Sequence, residues 1–279
     1  MIYLILSIIC SALISIVMRL AEDKVEGRLS MLASNNITCM IVASMLIGWT
    51  NLIPSGDKVG LTLSLATVNG AFYLVGLVLA QVNIRKNGVV LPNVFSKLGG
   101  LIIPLVISVC IFGEVPKVLQ VIGALIAMVS IVAINSGGDK GMVSAKGLLV
   151  ILFIVEGFAS VTAKIFDELA NPLLSDHFLL VTFGSAFVFC MMLVLKNKEK
   201  FGIREFVYGA MIGVPNFFAS RFMLKALATM PAVIVYPMRG VGGIVLVSLA
   251  GVLMFKERLT KRQWCAMAAI LVSVALLNM

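Results

Sequence analysis

The chain has 279 residues, a mean hydropathy of +1.10, 61% hydrophobic residues and only 13% charged ones. A soluble domain carries about 25% charged residues, so this composition excludes a soluble globular protein and makes a lipid bilayer the solvent for most of its surface. The formal net charge is +9, but the Lys and Arg residues lie between apolar runs, where they read as membrane-topology signals and not as a nucleic-acid face.

Ten apolar windows near the bilayer length of about 20 residues predict spanning helices. In chain order they cover roughly 2–19, 30–50, 60–83, 89–112, 117–135, 147–165, 175–195, 206–227, 232–254 and 261–278. The first has no basic residue before it, and Arg19, Lys24 and Arg28 after it, the pattern of a retained helix and not of a cleaved leader. The third carries Asn69, Tyr73 and Gly76 on one face, and the sixth carries Glu156, Ser160 and Lys164 at helical spacing. The eighth has a Gly209, Gly213, Asn216 and Ser220 stripe, which serves equally as a small-residue packing face. Cys10, Cys39, Cys110, Cys190 and Cys265 are isolated, so no disulfide framework or CxxC site is indicated. With His177 as the one histidine, a multi-histidine metal site is excluded, and no cofactor is expected.

An internal repeat organises the ten windows. GGLIIPLVISVCIFGEVPKVLQ in the fourth and fifth aligns with GGIVLVSLAGVLMFKERLTKRQ in the ninth and tenth at an offset of 143 residues. Gly99-Gly100 then matches Gly242-Gly243, Phe112 matches Phe255, Glu114 matches Glu257, and Tyr73 matches Asn216. A similar offset, 145, pairs Ser15 with Ser160 and Arg19 with Lys164. The expected domains are therefore two five-helix repeats, 1–138 and 139–279. Five is odd, so the second repeat is expected to be inverted relative to the first. The odd-numbered loops hold 15 Lys and Arg and the even-numbered ones 4, which puts both termini outside the cytoplasm. The turn glutamates Glu114 and Glu257 read as helix caps, with Glu114 suited to the start of the fifth helix and Thr260 with Gln263 forming a capping box at the tenth.

Ten helices, two inverted halves and the paired FGEVP and FKERL turns resemble the drug/metabolite transporter superfamily in its EamA-type branch. The resemblance covers the whole chain. It implies an all-α membrane basket with a central substrate cavity, alternating access and residence in the plasma or inner membrane.

An ionisable residue in a span costs at least about 2.5–3.5 kcal/mol at mid-depth, so each needs a reason. Lys97, Glu156, Arg221 and Arg239 lie within predicted spans. Lys97 and Glu156 fall at one depth on the cytoplasmic side, and Arg221 and Arg239 at another on the outer side. We expect a Lys97–Glu156 pair, with Tyr73, Asn216, Ser220 and the two arginines completing a substrate site. Glu156 is also the candidate proton-coupling group. Gly99, Gly100, Pro104, Gly242 and Gly243 are expected to allow bending or close approach of helices. Three cations against one carboxylate favour a substrate bearing a carboxylate or phosphate. The sequence has no ATP-binding GxxxxGK[ST] motif, so secondary transport is the expected function. The competing readings are export of amino acids or cationic drugs, a channel or scaffold, and a membrane enzyme built on Asp176 and His177, whose surroundings instead read as a loop end. Expected partners are a small-molecule substrate and the bilayer, with no nucleic acid, the chain acting as a monomer or homodimer.

Overall fold

The computed structural model describes residues 1–21, 24–87, 90–135, 146–255 and 261–277. It contains ten α-helices and, among the described residues, no strand. They are α1 (Ile2–Ala21), α2 (Arg28–Ile47), α3 (Val59–Asn87), α4 (Val90–Cys110), α5 (Val118–Asn135), α6 (Lys146–Leu169), α7 (Ser175–Asn197), α8 (Ile203–Leu227), α9 (Ala232–Phe255) and α10 (Lys261–Leu277). Each predicted window holds one of them. A tight 3-10 turn, Pro172–Leu174, precedes α7, with the Asn171 carboxamide accepting from the Leu173 amide. By length and apolar composition, α1, α2, α6 and α9 are clear span candidates, as are the first part of α3 and α7 with its preceding turn. Shorter apolar stretches lie in α4, α5 and α10. Within α8, Arg204, Glu205, Arg221 and Lys225 dilute the apolar character.

The helices pack as two compact units. The first comprises Met1–Leu74 and Ile165–Ala228, so α3 enters it with its N-terminal half and α6 with its last residues. Its centre is built where α8 lies against α2 with almost no side-chain volume between them. A Cβ on Gly213 would stand 2.8 Å from the Asn35 carbonyl oxygen, and one on Gly209 would meet Ser34 and the Met31 carbonyl. The Ser7 hydroxyl donates to the Ala219 carbonyl at 2.8 Å, tying α1 to α8. Stacked rings of Phe166 and Phe178, 4.4 Å apart, join the end of α6 to α7. The glycine part of the predicted α8 stripe therefore serves packing.

The second unit comprises Val75–Lys164 and Thr229–Met279. Leu101, Ala127, Ile131, Val241, Ile244 and Ile270 form its buried core, with Leu98, Ile102, Val245 and Val274 against it. The Ser273 hydroxyl donates to the Gly123 carbonyl at 2.8 Å, which sets the start of α5 beside the end of α10, an antiparallel pair. Asn83 in α3 donates to the Leu148 carbonyl in α6 at 3.1 Å. In both units apolar burial is joined by hydrogen bonds that satisfy polar atoms away from water, as a low-dielectric environment demands.

Candidate functional site

Three of the four ionisable residues expected within spans, Lys97, Glu156 and Arg239, lie in the second unit. Glu156, in the middle of α6, accepts a hydrogen bond from the Ser96 hydroxyl of α4, and Lys97 is a charged neighbour. Lys97 in turn has both Arg239 of α9 and Glu156 as charged neighbours. All four side chains are partly buried. Gly76 of α3 makes room for the carboxylate, because a Cβ there would lie 2.8 Å from Glu156 Oε1. The structure thus brings together Lys97, Glu156 and Arg239, and adds Ser96 and Gly76 to them.

The α6 stripe runs on from this cluster. The Ser160 carbonyl, one turn along, accepts from the Tyr236 hydroxyl at 2.8 Å. One turn further, Lys164 is only 2% exposed and its Nζ lies 2.7 Å from Glu114 Oε1. The Phe112 ring faces the same ammonium group, 5.8 Å from ring centroid to nitrogen, within cation–π range. Glu114 does more than neutralise Lys164. Its two oxygens accept from the Ala232 and Val233 amides at 3.1 and 3.2 Å, the free donors at the start of α9.

This corrects the expected cap. Glu114 serves α9 and not α5, because Gly113, with φ +68, carries the chain away from α4 in a left-handed turn. The fifth helix is capped by its own Gln120, whose side-chain Oε1 accepts from the Lys117 amide at 3.0 Å. The expected partner cap, Glu257, and Thr260 lie outside the described residues.

The remaining predicted site residues belong to the first unit. Arg221 is gripped in a two-pronged ion pair by Asp176, with Nε to Oδ1 at 2.6 Å and a terminal nitrogen to Oδ2 at 2.8 Å. Asp176, read from the sequence as a loop-end acid, is thus a specific partner, and His177 Nε2 lies 2.9 Å from the Asn51 carbonyl oxygen. Tyr73 and Asn216 meet directly, the Asn216 amide lying 3.2 Å from the Tyr73 hydroxyl. Asn216 also donates to Asn35 Oδ1 at 3.1 Å, and Asn35 donates to Asn36 at 3.3 Å. Asn35 and Asn36 are 1% and 0% exposed and had no part in the sequence expectation. Their signal was available as an Asn-Asn pair inside an apolar window. Ser220 is half-buried on the same helix. A neutral hydrogen bond contributes about 0.5–1.5 kcal/mol, and leaving a buried partner unsatisfied costs about 1–3 kcal/mol. Tyr73→Phe should therefore lower the unfolding temperature slightly, and Asn216→Leu more, because the latter strips a partner from both Asn35 and Tyr73. Thermal unfolding in detergent checks the order.

The predicted glycines differ. Gly99 lies against the α6 backbone, where an added Cβ would collide with the Phe153 carbonyl, and Gly157 lies against Ile103. Gly100 has the Ser160 hydroxyl 3.3 Å from its Cβ position, whereas among the described residues nothing lies within 4 Å of that position at Gly243. Gly242 lies beside it in α9, and Pro104 sits inside α4. No group of three or more His, Cys, Asp or Glu side chains able to hold a metal gathers among the described residues.

Ten helices with several bilayer-length apolar spans, and ionisable side chains held within them, define a multi-pass helical membrane protein. Residues 144–279 match the EamA-like transporter family, which is part of the drug/metabolite transporter superfamily. Members of this family are transporters, not enzymes. The chain is also similar to an uncharacterized protein of Haemophilus influenzae, at 23% identity over 275 residues, 94% of this chain and 92% of the relative. A solved crystal structure shares its fold with a TM-score of 0.75 at 15% identity, covering 99% of this chain and 98% of the other.

Proposed function

We propose that the protein is a secondary transporter of a small polar metabolite carrying a carboxylate or phosphate, working by alternating access. The observation that carries this reading is the Lys97–Glu156–Arg239 cluster. Two cations facing one carboxylate leave one positive charge in a low-dielectric setting, where an anionic substrate is its natural complement. Arg221 leaves this balance because Asp176 neutralises it, and Lys164 leaves it because Glu114 does. Glu156 then holds Lys97 between cycles and exchanges a proton during them.

The inverted duplication, 1–138 and 139–279, is part of this reading. It is supported by the core of the second unit, where Leu98, Leu101, Ile102, Ala127 and Ile131 each have their counterpart 143 positions later among the same packed side chains. The direct Tyr73–Asn216 bond joins two residues of that spacing, which fits a twofold axis running between the repeats there. Ten helices, if each spans, and the basic odd loops support both termini outside a plasma or inner membrane, with one chain sufficient for a cavity and a homodimer as the alternative assembly.

The test is transport into proteoliposomes after a ligand-stabilisation screen over amino acids, organic acids, sugar phosphates and cationic drugs. Anionic compounds should raise the unfolding temperature, and Lys97→Gln and Arg239→Gln should each lower their uptake at least tenfold. Stabilisation by cationic drugs alone would instead support the exporter of cationic compounds. Glu156→Gln should remove proton-driven exchange while leaving the protein folded; unchanged pH dependence in that variant would refute the coupling role.

A further inference from the structure

A second place in the molecule is built to hold a charged ligand. At one end of the first unit, residues 24–27 before α2 and residues 199–205 at the α7–α8 turn line a cleft of about 660 Å³, within the roughly 300–1,000 Å³ range of small-molecule sites. Lys24, Glu26, Glu199, Lys200, Arg204 and Glu205 line it. By formal charge these six cancel, but they are not equivalent. Glu199 accepts from the Ser30 amide at 3.0 Å and from the Ser30 hydroxyl, in the first turn of α2. Glu205 is buried, and its carboxylate takes backbone amides. Its own N–H, together with those of Gly27, Glu26 and Gly202, holds its pKa below the ordinary carboxylate range, against partial burial. Both acids are committed to amide donors and lie where the α2 dipole offsets their charge.

What faces solvent is Lys200, Arg204, Lys24 and Glu26, all exposed. The Lys24 ammonium is steadied 5.9 Å over the Tyr208 ring. The floor is fixed by a close approach of the two connections, since a Cβ on Gly27 would lie 2.8 Å from the Lys200 carbonyl oxygen. Beside the charges runs an apolar shelf of exposed side chains, Phe201 at 48%, Ile203 at 82%, Phe206 at 47% and Val207 at 48%. A soluble anion has no use for that shelf; a molecule with a charged head and hydrocarbon tails uses both.

We infer that this cleft binds a phospholipid whose headgroup carries a phosphate and a primary amine, as in phosphatidylethanolamine. Lys200 and Arg204 hold the phosphate, in the manner of cation clusters at the membrane surface. Glu26 takes the ammonium, and the acyl chains lie along Phe201, Ile203, Phe206 and Val207. An ammonium with N–H donors suits Glu26; a quaternary amine offers none.

Native mass spectrometry of the purified protein, equilibrated with phosphatidylethanolamine, phosphatidylcholine or phosphatidylglycerol, tests it. Phosphatidylethanolamine should be retained at least fivefold over both phosphatidylcholine and phosphatidylglycerol. Lys200→Gln with Arg204→Gln should cut that retention at least fivefold, and Glu26→Gln should erase the preference over phosphatidylglycerol. Lys200→Arg should keep binding, which guards against a loss due only to misfolding. Equal retention of the three lipids, or wild-type retention by the double variant, would overturn the assignment. Displacement of the lipid by inorganic phosphate or glycerophosphoethanolamine at equal concentration would overturn it too, because the tails would then contribute nothing.

Discussion

Replacing Glu114 with alanine will destabilise the protein more than replacing Lys164 with methionine, although both changes break the same ion pair. Removing one partner of a buried pair costs about 3–5 kcal/mol when an uncompensated charge is left behind. In Glu114→Ala that charge is Lys164, 2% exposed, with the Phe112 ring as a poor substitute for a carboxylate. The Ala232 and Val233 amides lose their acceptor at the same time. In Lys164→Met the carboxylate keeps both amides and the positive end of α9, so its charge remains partly compensated. The double variant Glu114→Ala, Lys164→Met should lose less than the two single losses added together, since it leaves no buried ion unpaired. Thermal unfolding of the four proteins in one detergent, set out as a double-mutant cycle, gives the ordering. Equal losses from the two single variants would show that Glu114 is no cap of α9.

The Glu114 case also shows what the sequence could and could not supply. Helix number, approximate limits and the membrane class follow from apolar run length, because a bilayer imposes about 20 apolar residues on each span. The face bearing Glu156, Ser160 and Lys164 follows from helical periodicity, and in the structure those residues meet Ser96, Tyr236 and Glu114 in succession. Periodicity says which residues share a face and nothing about what lies opposite. So Lys164 had a face but no partner visible in the sequence, Asp176 looked like a loop acid, and Asn35 carried no visible role until α8 was laid against α2. A cap read from local sequence assumes the nearest helix. The left-handed Gly113 turn breaks that assumption, and only tertiary structure could reveal it.

The duplicated glycine pairs lead to the second large effect, an unequal response to one substitution. Gly99→Ala should be severe and Gly243→Ala mild, though the two residues are expected to occupy neighbouring places in the repeats: Gly100, not Gly99, aligns with Gly243. Alanine is the better helix former by about 0.8–1.0 kcal/mol, so where space permits the change should be neutral or stabilising. Space permits it at Gly243, where nothing among the described residues stands within 4 Å of the added carbon. At Gly99 the obstacle is the Phe153 carbonyl, a backbone group of α6 that cannot rotate away. Helix α4 must then retreat, and overpacking of this kind costs about 1–3 kcal/mol. The functional loss should exceed the stability loss. Ser96 and Lys97 lie just before Gly99 on α4, so any retreat draws them from Glu156 on the opposing helix. Gly76→Ala is the informative contrast, since its added carbon meets side chains and no backbone, the end of Glu156 and, at 3.7 Å, Val155 Cγ1. It should leave the unfolding temperature within a few degrees of wild type while shifting the pH dependence of transport. Gly99→Ala should lower both the unfolding temperature and the transport rate, the latter at least tenfold. If Gly99→Ala instead transports at the wild-type rate, the spacing of α4 and α6 does not govern the cluster, and Lys97 and Glu156 act independently of it.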